Sequence, residues 1–122
     1  MKLHASARSA LNTFTAYGAG YVMVNDRRHE ANLIVLPEQV LPWDATGFGA
    51  LREADFEIFF DLKLEILLLG TGPKQRFPHP RLTRALAAKR VGVEAMDLRA
   101  ACRTYNILMA EERRVAAALL FS

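Results

Sequence analysis

The sequence predicts an α/β protein: a three-layer sandwich around a central mixed sheet, with a βαβαβ core preceded by an N-terminal β-hairpin. Two nearly unbroken apolar runs, residues 64–69 and 115–121, are typical of strands buried on both faces. Two segments with apolar residues at helical spacing lie between these runs. Strands and helices that alternate in this way indicate βα crossovers and a largely parallel core. Because the chain has 122 residues, we expect residues 1–122 to form a single domain.

The N-terminal part of the chain predicts the hairpin. Residues 13–24 are rich in aromatic and β-branched side chains, with Gly18 and Gly20 at positions where a strand bulges or bends. Residues 25–28 form a polar turn, and residues 31–36 are predicted to be the returning strand.

The core elements follow in order along the chain. Residues 53–61 indicate a short acidic helix, and residues 64–69 a buried strand closed by Gly70. The single charge in that strand, Glu65, is expected near its entry. A helix is predicted over residues 80–89, because proline suits a first helical position.

Residues 91–96 then predict a short strand, and Asp97 is the expected N-cap of a second helix. Residues 115–121 form the last buried strand. The second helix has an apolar stripe made of Leu98, Ala101, Cys102, Tyr105, Leu108 and Met109.

Composition excludes several classes of protein. Hydrophobic residues make up 52% and charged residues 24%, the balance of an ordinary globular domain. A single cysteine excludes a disulfide framework and suits a reducing compartment. No apolar run is long enough for a membrane-spanning helix. Residues 1–12 lack the features of a secretory signal or a mitochondrial presequence, so we expect a loosely ordered leader and a bacterial cytoplasmic protein.

Positive charge is concentrated in the second half of the chain. Residues 1–62 have a net charge of −3 and residues 63–122 a net charge of +6. This surplus indicates either a surface that faces a negative partner, phosphate or lipid, or a solvated edge balanced by the acidic helix. Nucleic-acid binding is not expected, because the chain has no recognised motif and only a small net charge. The densest basic cluster consists of Lys74, Arg76, Arg81, Arg84, Lys89 and Arg90.

A glycine pair follows the first buried strand. Gly70, Thr71 and Gly72 complete neither the dinucleotide-binding pattern nor the P-loop pattern. They indicate a tight exit turn in which glycine supplies a positive φ. A weak anion site formed by these backbone amides with Lys74 and Arg76 is the alternative.

Carboxylates follow the next strand. Glu94 lies near its C-terminal end, and Asp97 follows shortly after. Ligands of open α/β sheets bind in the crevice outside the strand C-termini, where Gly70 and Thr71 are also expected. Each carboxylate also has a structural interpretation, Asp97 as an N-cap and Glu94 as the partner of an arginine.

The polar side of the second helix carries Arg99, Arg103 and Asn106. They predict either a recognition surface or bonds to neighbouring loops, with Arg103 reaching Glu94 or a loop carbonyl. Cys102 lies on the apolar stripe, so we expect a buried, inert thiol. The three histidines show no catalytic signature and no metal-ligand spacing.

Taken together, the segments resemble a known family from about residue 13 to the end. It is the Mth-like domain of unknown function, which is shared by mitochondrial complex I assembly factor 3, the adipogenesis-associated Mth-like protein and many small bacterial and archaeal proteins. The most specific match is the block Ala-Ala-Cys-Arg-Thr-Tyr-Asn at residues 100–106. The other matching residues are Tyr17-Gly18-Ala19-Gly20-Tyr21, Leu36-Pro37, Pro42-Trp43, Leu68-Leu69-Gly70-Thr71-Gly72, Phe77, Gly92-Val93-Glu94, Met96-Asp97 and residues 114–119.

The resemblance implies a three-layer α/β fold with a mixed sheet, protein binding and no established enzyme activity. The chain departs from the family pattern at three positions. Leu98 stands where a small hydroxyl residue is common, which weakens any chemistry by a hydroxyl beside Asp97. Ala31 and Glu112 stand where glycine is common, which concerns strand or turn geometry.

The sequence therefore favours a small non-catalytic protein-binding domain, an assembly or chaperone-type factor for a larger complex. We assign no catalytic residue, metal or cofactor. The alternative is a domain that binds an anion or small molecule, enzymes included, in the crevice at the strand C-termini, with Glu94 as acid/base. Peripheral contact with anionic membranes is a third interpretation. The predicted binding surface comprises Gly70, Thr71, Gly72, Lys74, Arg76, Phe77, Glu94, Asp97, Arg99, Arg103 and Asn106.

Overall fold

The computed structural model describes residues 10–122 and contains two β-sheets with helices packed against them. The strands are β1 (Phe14–Gly18), β2 (Tyr21–Val24), β3 (Arg27–His29), β4 (Leu33–Leu36), β5 (Gln39–Pro42), β6 (Ile66–Thr71), β7 (Gly92–Met96) and β8 (Val115–Leu120). The α-helices are α1 (Pro80–Ala88) and α2 (Leu98–Ala110), and two 3-10 helices span Phe48–Ala50 and Glu53–Phe59.

The five-stranded sheet is mixed and has the strand order β5-β4-β8-β6-β7. The pairs β5–β4 and β4–β8 are antiparallel, whereas β8–β6 and β6–β7 are parallel. The last strand of the chain, β8, therefore lies at the centre of the sheet, and all six of its residues are buried. This arrangement confirms the predicted α/β fold with a central mixed sheet.

Successive residues along the strands of this sheet point alternately into two apolar cores. In β8, Ala116 and Ala118 belong to one core, while Val115 and Ala117 belong to the other. A strand covered on both faces needs apolar side chains at every position, which explains the unbroken apolar runs in the sequence.

The first core lies beneath α1 and the longer 3-10 helix. Leu82 and Leu86 of α1 are buried in it, as are the rings of Trp43, Phe56 and Phe59. The Trp43 ring meets the other two rings edge-on at 5.8–5.9 Å, and its indole N–H donates to the Asp55 carbonyl at 2.9 Å. The indole is therefore both packed and satisfied, as buried tryptophan requires.

The second core lies beneath α2 and the three-stranded sheet β1-β2-β3. Phe14 of β1 meets Tyr105 of α2 edge-on at 5.1 Å. The Asn106 side chain accepts from the Phe14 N–H and donates to the Phe14 carbonyl, both at 2.9 Å. The Tyr105 hydroxyl donates to the Asn12 carbonyl at 2.9 Å. These bonds fasten β1 to α2 across about ninety residues of sequence.

The N-terminal hairpin is present, but its strands are β1 and β2, and the prediction that residues 31–36 form the returning strand is wrong. Gly20 has a φ of +78°, a conformation that closes the β1–β2 turn and favours glycine. Asn25 and Asp26, both with positive φ, close a second turn into β3. β4 pairs instead with β5 and β8 inside the larger sheet, where all four of its residues are buried.

The remaining predicted elements agree with the sequence within a few residues, with two exceptions: the predicted acidic helix is a 3-10 helix, and the predicted turn over residues 25–28 runs into β3. The sequence did not predict β3 or β5. Most of the expected leader, residues 1–9, lies outside the described residues. Its last residue, Asn12, donates its backbone N–H to the Pro37 carbonyl at 2.8 Å and its side-chain amide to the Leu36 carbonyl at 2.9 Å.

Replacing Asn106 tests the attachment of β1 to α2. Asn106→Ala leaves the Phe14 N–H and carbonyl unpaired in a part-buried setting, so we expect a loss of about 2–3 kcal/mol in the free energy of unfolding. Urea denaturation measures this loss, and hydrogen exchange at the Phe14 amide should quicken. Ile107→Ala, at a neighbouring exposed position, should stay within about 0.5 kcal/mol of wild type. Equal stability of the two variants would contradict the assignment.

Candidate functional site

The loop that follows β6 is folded around a buried hydroxyl group. Thr71, the last residue of β6, is fully buried. Its Oγ1 donates to the Lys74 carbonyl at 2.6 Å, accepts from the Arg76 N–H at 3.0 Å and lies 3.3 Å from the Met96 carbonyl. One side chain therefore fixes both ends of a tight turn and joins that turn to β7.

Arg76 turns inward rather than toward solvent. Its Nη2 donates to the Thr71 carbonyl at 2.6 Å, and its guanidinium lies 4.5 Å above the centre of the Phe48 ring. The side chain is half-buried and fastens the loop to the first 3-10 helix. Arg76 was predicted as a surface residue, but the structure gives its charge an internal partner.

The two glycines of the loop serve packing and backbone geometry. Gly72 has a φ of +89°, and a Cβ at this position would lie 3.4 Å from Arg76 Nη2. Its carbonyl accepts from the Leu98 N–H at 2.8 Å, which ties the loop to the start of α2. A Cβ on Gly70 would lie 2.8 Å from Leu119 Cδ2 and 3.3 Å from the Ala101 Cβ, so glycine permits the close approach of α2 to the sheet.

The middle of the loop presents side chains to solvent. Lys74 is exposed, and Phe77 is 73% exposed, the highest value for a large apolar residue in the described part of the chain. Gln75 extends sideways and donates its side-chain amide to the Ala95 carbonyl at 2.9 Å. The loop is therefore held along its length while Phe77 projects from it.

The two carboxylates near the end of β7 are in different situations. Asp97 caps α2, and its Oδ1 accepts from the Ala100 N–H at 2.9 Å. Glu94 is exposed on β7, which is an edge strand. Within residues 10–122 Glu94 takes part in no ion pair, so the expected pair with Arg103 is not formed.

A cleft of about 290 Å³ lies at the C-terminal ends of β6 and β8. Of the predicted residues, Gly72, Asp97 and Arg99 line it. Sequence reasoning missed Phe121 and the β1–β2 turn, although the Tyr-Gly-Ala-Gly-Tyr segment was the signal that marked this turn. The remaining lining residues are Gly18, Ala19, Gly20, Pro73 and Leu98.

The other predicted residues lie around this cleft rather than in it. Lys74 and Phe77 belong to the loop, and Arg103 is exposed on the second turn of α2. Asn106 is turned toward β1, and both ends of its amide are occupied by the Phe14 backbone. A separate cavity of about 320 Å³ at the opposite end of the sheet is lined by none of the predicted residues.

Cys102 is fully buried in the second core. Burial raises the pKa of its thiol to about 12, and the charge of Arg103 offsets this only in part. A nucleophilic cysteine needs the opposite shift, because the thiolate is the reactive form. Among residues 10–122 no group of three metal-ligating side chains lies together, and no helix is long and apolar enough to cross a membrane.

These features define an α/β domain with a fixed, solvent-facing loop at the C-terminal edge of its parallel strands. The chain belongs to the family described as protein of unknown function (DUF498/DUF598), whose family model matches residues 14–120. The family resemblance expected from the sequence is thereby confirmed.

Two solved structures are similar to this chain. A crystal structure of a Bordetella parapertussis protein is 46% identical with a TM-score of 0.87, and the match covers 93% of this chain and 98% of that one. A solution structure of a Bordetella pertussis protein, described as an Mth938-like domain, is 39% identical with a TM-score of 0.81, covering 98% and 92% of the two chains.

A curated relative carries a functional name. NADH dehydrogenase (ubiquinone) 1 alpha subcomplex assembly factor 3 of Bos taurus is 31% identical over 107 residues. The match covers 86% of this chain but 58% of the bovine protein, so the chain spans little more than half the length of that relative.

Replacing Thr71 tests the hydroxyl on which the loop is folded. Thr71→Val keeps the shape but leaves the Arg76 N–H and the Lys74 carbonyl unpaired, so we expect a loss of about 2 kcal/mol in the free energy of unfolding. Thr71→Ser retains the hydroxyl and should lose about half as much or less. Urea denaturation compares the two, and a serine variant as unstable as the valine variant would show that the hydroxyl is unimportant.

The pH dependence of stability tests the state of Cys102. Its pKa rises from an ordinary value of 9.0 to about 12 on folding, so the folded state disfavours the thiolate. This contribution to stability is fully present below pH 9 and is lost as the pH rises from 9 towards 12. We expect Cys102→Ala to lower stability at neutral pH and to flatten the decline above pH 9, as measured by urea denaturation at several pH values. If stability declined equally steeply above pH 9 in wild type and in Cys102→Ala, the raised pKa of Cys102 would be contradicted. Burial also raises the pKa of Tyr105. This shift adds a decline in stability at higher pH, and the decline is the same in wild type and in Cys102→Ala.

Proposed function

We propose that this chain is a non-catalytic protein-binding domain that acts as an assembly factor for a larger complex in the bacterial cytoplasm. The observation that carries the proposal is Phe77, a large aromatic side chain held out to solvent on a fixed loop. The bovine relative's name, an assembly factor, supports the same role. Family membership and a 31% identity make this the role to test first.

The loop has the properties of a preorganised binding element. Ordering a flexible loop on association costs free energy, whereas the bonds made by Thr71, Gln75 and Arg76 hold this loop before a partner arrives. Exposed aromatic side chains are common anchors of protein interfaces, because they bury a large area with few rotatable bonds. Phe77 therefore offers the partner an anchor at low entropic cost.

The predicted binding surface divides into two roles. We propose that Lys74, Phe77, Arg99 and Arg103, which are exposed, contact the partner. The residues that shape this surface from within are Gly70, Thr71, Gly72, Arg76, Asp97 and Asn106. Glu94 is also exposed, on the edge strand β7, and we assign it to neither role. Charge reversal at Arg76 is consequently expected to destabilise the fold, and Phe77 is the better position for a test of binding.

The cleft beside Gly72 and Arg99 supports the alternative function, the binding of a small anionic ligand. Its support is weaker, because Asp97 is occupied as a helix cap and Glu94 does not line the cleft. Arg99 is the cation among its lining residues. A single arginine beside a carboxylate that serves as a helix cap is better suited to orienting a ligand than to transforming it.

Capture of partners from an extract of the source organism tests the proposed role. We expect immobilised wild-type protein to retain a defined partner, and Phe77→Ser to retain at least about fivefold less, because the anchor is removed. Ile107→Ser is the matched control: Ile107 is 60% exposed but lies about 14 Å along α2 from its first turn. Mass spectrometry of the retained proteins provides the measurement.

Equal retention by wild type and Phe77→Ser would refute the proposed surface. If nothing is retained, the ligand alternative gains weight, and thermal unfolding with a panel of metabolites and nucleotides becomes the decisive measurement. A saturable rise in Tm that disappears in Arg99→Ala would then indicate a ligand in the cleft.

A further inference from the structure

The outer side of α1 and the loop before it expose several basic side chains together with Phe77. We define this surface, the basic face, by the exposed residues Lys74, His79, Arg81 and Arg84 together with Phe77. We infer that the basic face binds an acidic segment of the partner protein, with an apolar side chain of that segment packed on Phe77. This inference rests on the proposed protein-binding function and specifies the chemistry of the partner.

The shape of α1 suits such a segment. Leu82 and Leu86 face the core, and the opposite side carries a shallow, open depression. Pro80 and Ala87 contribute small apolar groups to this depression, so a polypeptide can approach the helix closely. The depression contains no acidic residue and is lined by His79, Pro80, Arg81, Thr83, Arg84 and Ala87.

The charges of the basic face are poorly neutralised within the molecule. Among residues 10–122, Arg84 has an ion pair, with Glu53 at 3.7 Å, and both side chains are largely exposed. Lys74 and Arg81 have no ion pair in the same part of the chain. Arg81 also lies in the first turn of α1, where the helix dipole disfavours a cation. A carboxylate from a partner would relieve this unfavourable arrangement.

The backbone beneath these charges is fixed. His79 caps α1 by accepting from the Arg81 N–H on its Nδ1 at 3.1 Å, and Pro80 occupies the first turn. Thr71 holds the preceding loop through the Lys74 carbonyl at 2.6 Å. The cations and Phe77 therefore stand on backbone that is ordered without a partner, which makes their mutual spacing a property of the free protein.

The neighbouring 3-10 helix favours a narrow polypeptide over a membrane or a nucleic acid. This helix carries exposed Glu53 and Glu57 and lies directly beside α1, as the Arg84–Glu53 pair shows. A broad anionic surface laid on α1 would also meet these carboxylates and be repelled. A single polypeptide segment is narrow enough to follow the loop and the first turn of α1, past Lys74 and Arg81, and to leave Arg84 paired with Glu53.

Fluorescence anisotropy with a labelled probe peptide tests the inference. The probe is an amphipathic peptide in which glutamates accompany leucines at helical spacing, and its control replaces every glutamate with lysine. We expect the acidic probe to bind and the basic control to show no binding. Raising the salt concentration from about 50 to about 300 mM should weaken the acidic complex about tenfold, since exposed charge pairs are screened.

Two charge-reversed variants provide the matched comparison. Lys74→Glu with Arg81→Glu changes the basic face, and the hydrogen bonds that hold these two residues in the described part of the chain are made by the Lys74 carbonyl and the Arg81 N–H, which the substitutions keep. Arg27→Glu with Lys63→Glu makes the same change of charge at two exposed residues outside the proposed binding surface, one on β3 and one just before β6. We expect the first variant to bind the acidic probe at least about tenfold more weakly and the second to bind within about twofold of wild type.

Equal weakening by both variants would overturn the inference, because it would show a response to net charge alone. Binding of wild type to phosphatidylserine vesicles but not to the acidic probe would overturn it in favour of a membrane. Chemical-shift changes in ¹⁵N-labelled protein provide a further check, and changes outside residues 73–90 would place the probe elsewhere.

The same variants separate this inference from the proposed function. If Lys74→Glu with Arg81→Glu still captures the partner from extract while Phe77→Ser does not, the acidic segment is refuted and the protein-binding role stands. If wild type captures no partner but binds the acidic probe on the basic face, the assembly role fails and the recognition chemistry stands.

Discussion

The whole structure depends on the burial of β8 between two strands and two layers. Its six residues are completely enclosed, with β4 antiparallel on one side and β6 parallel on the other. Three successive alanines at 116–118 place small side chains on both faces, which allows the helices to approach closely. Because residues of β8 belong to both cores, neither core is complete until β8 has entered the sheet.

The C-terminal edge of the parallel strands combines rigid and exposed parts. The hydroxyl of Thr71 and the inward guanidinium of Arg76 satisfy the loop backbone, while Gly72 supplies the positive φ of the turn. These polar groups are thus used to hold the loop. The ring of Phe77 and the side chain of Lys74 are left exposed, and we propose them as contacts for a partner. This division between supporting and presented residues is suited to binding.

Much of the fold could be predicted because its signals are local. Apolar runs identify β6 and β8, helical spacing identifies α1 and α2, and Asp97 identifies the start of α2 by its capping chemistry. These patterns depend on neighbours within one or two turns of chain. The pairing of β4 with β8 could not be predicted in the same way, since these two strands lie far apart in the sequence.

The sequence by itself determined the elements, the α/β class, the tight turn at Gly72 and the concentration of cations after β6. Only the tertiary structure decided how these cations are used: Arg76 is turned inward on Phe48, and Lys74 and Arg81 are left exposed. It also brought the β1–β2 turn over the start of α2 and closed the cleft with Phe121. The reason is that side-chain direction depends on packing between distant segments, and such contacts leave no periodic trace in the chain.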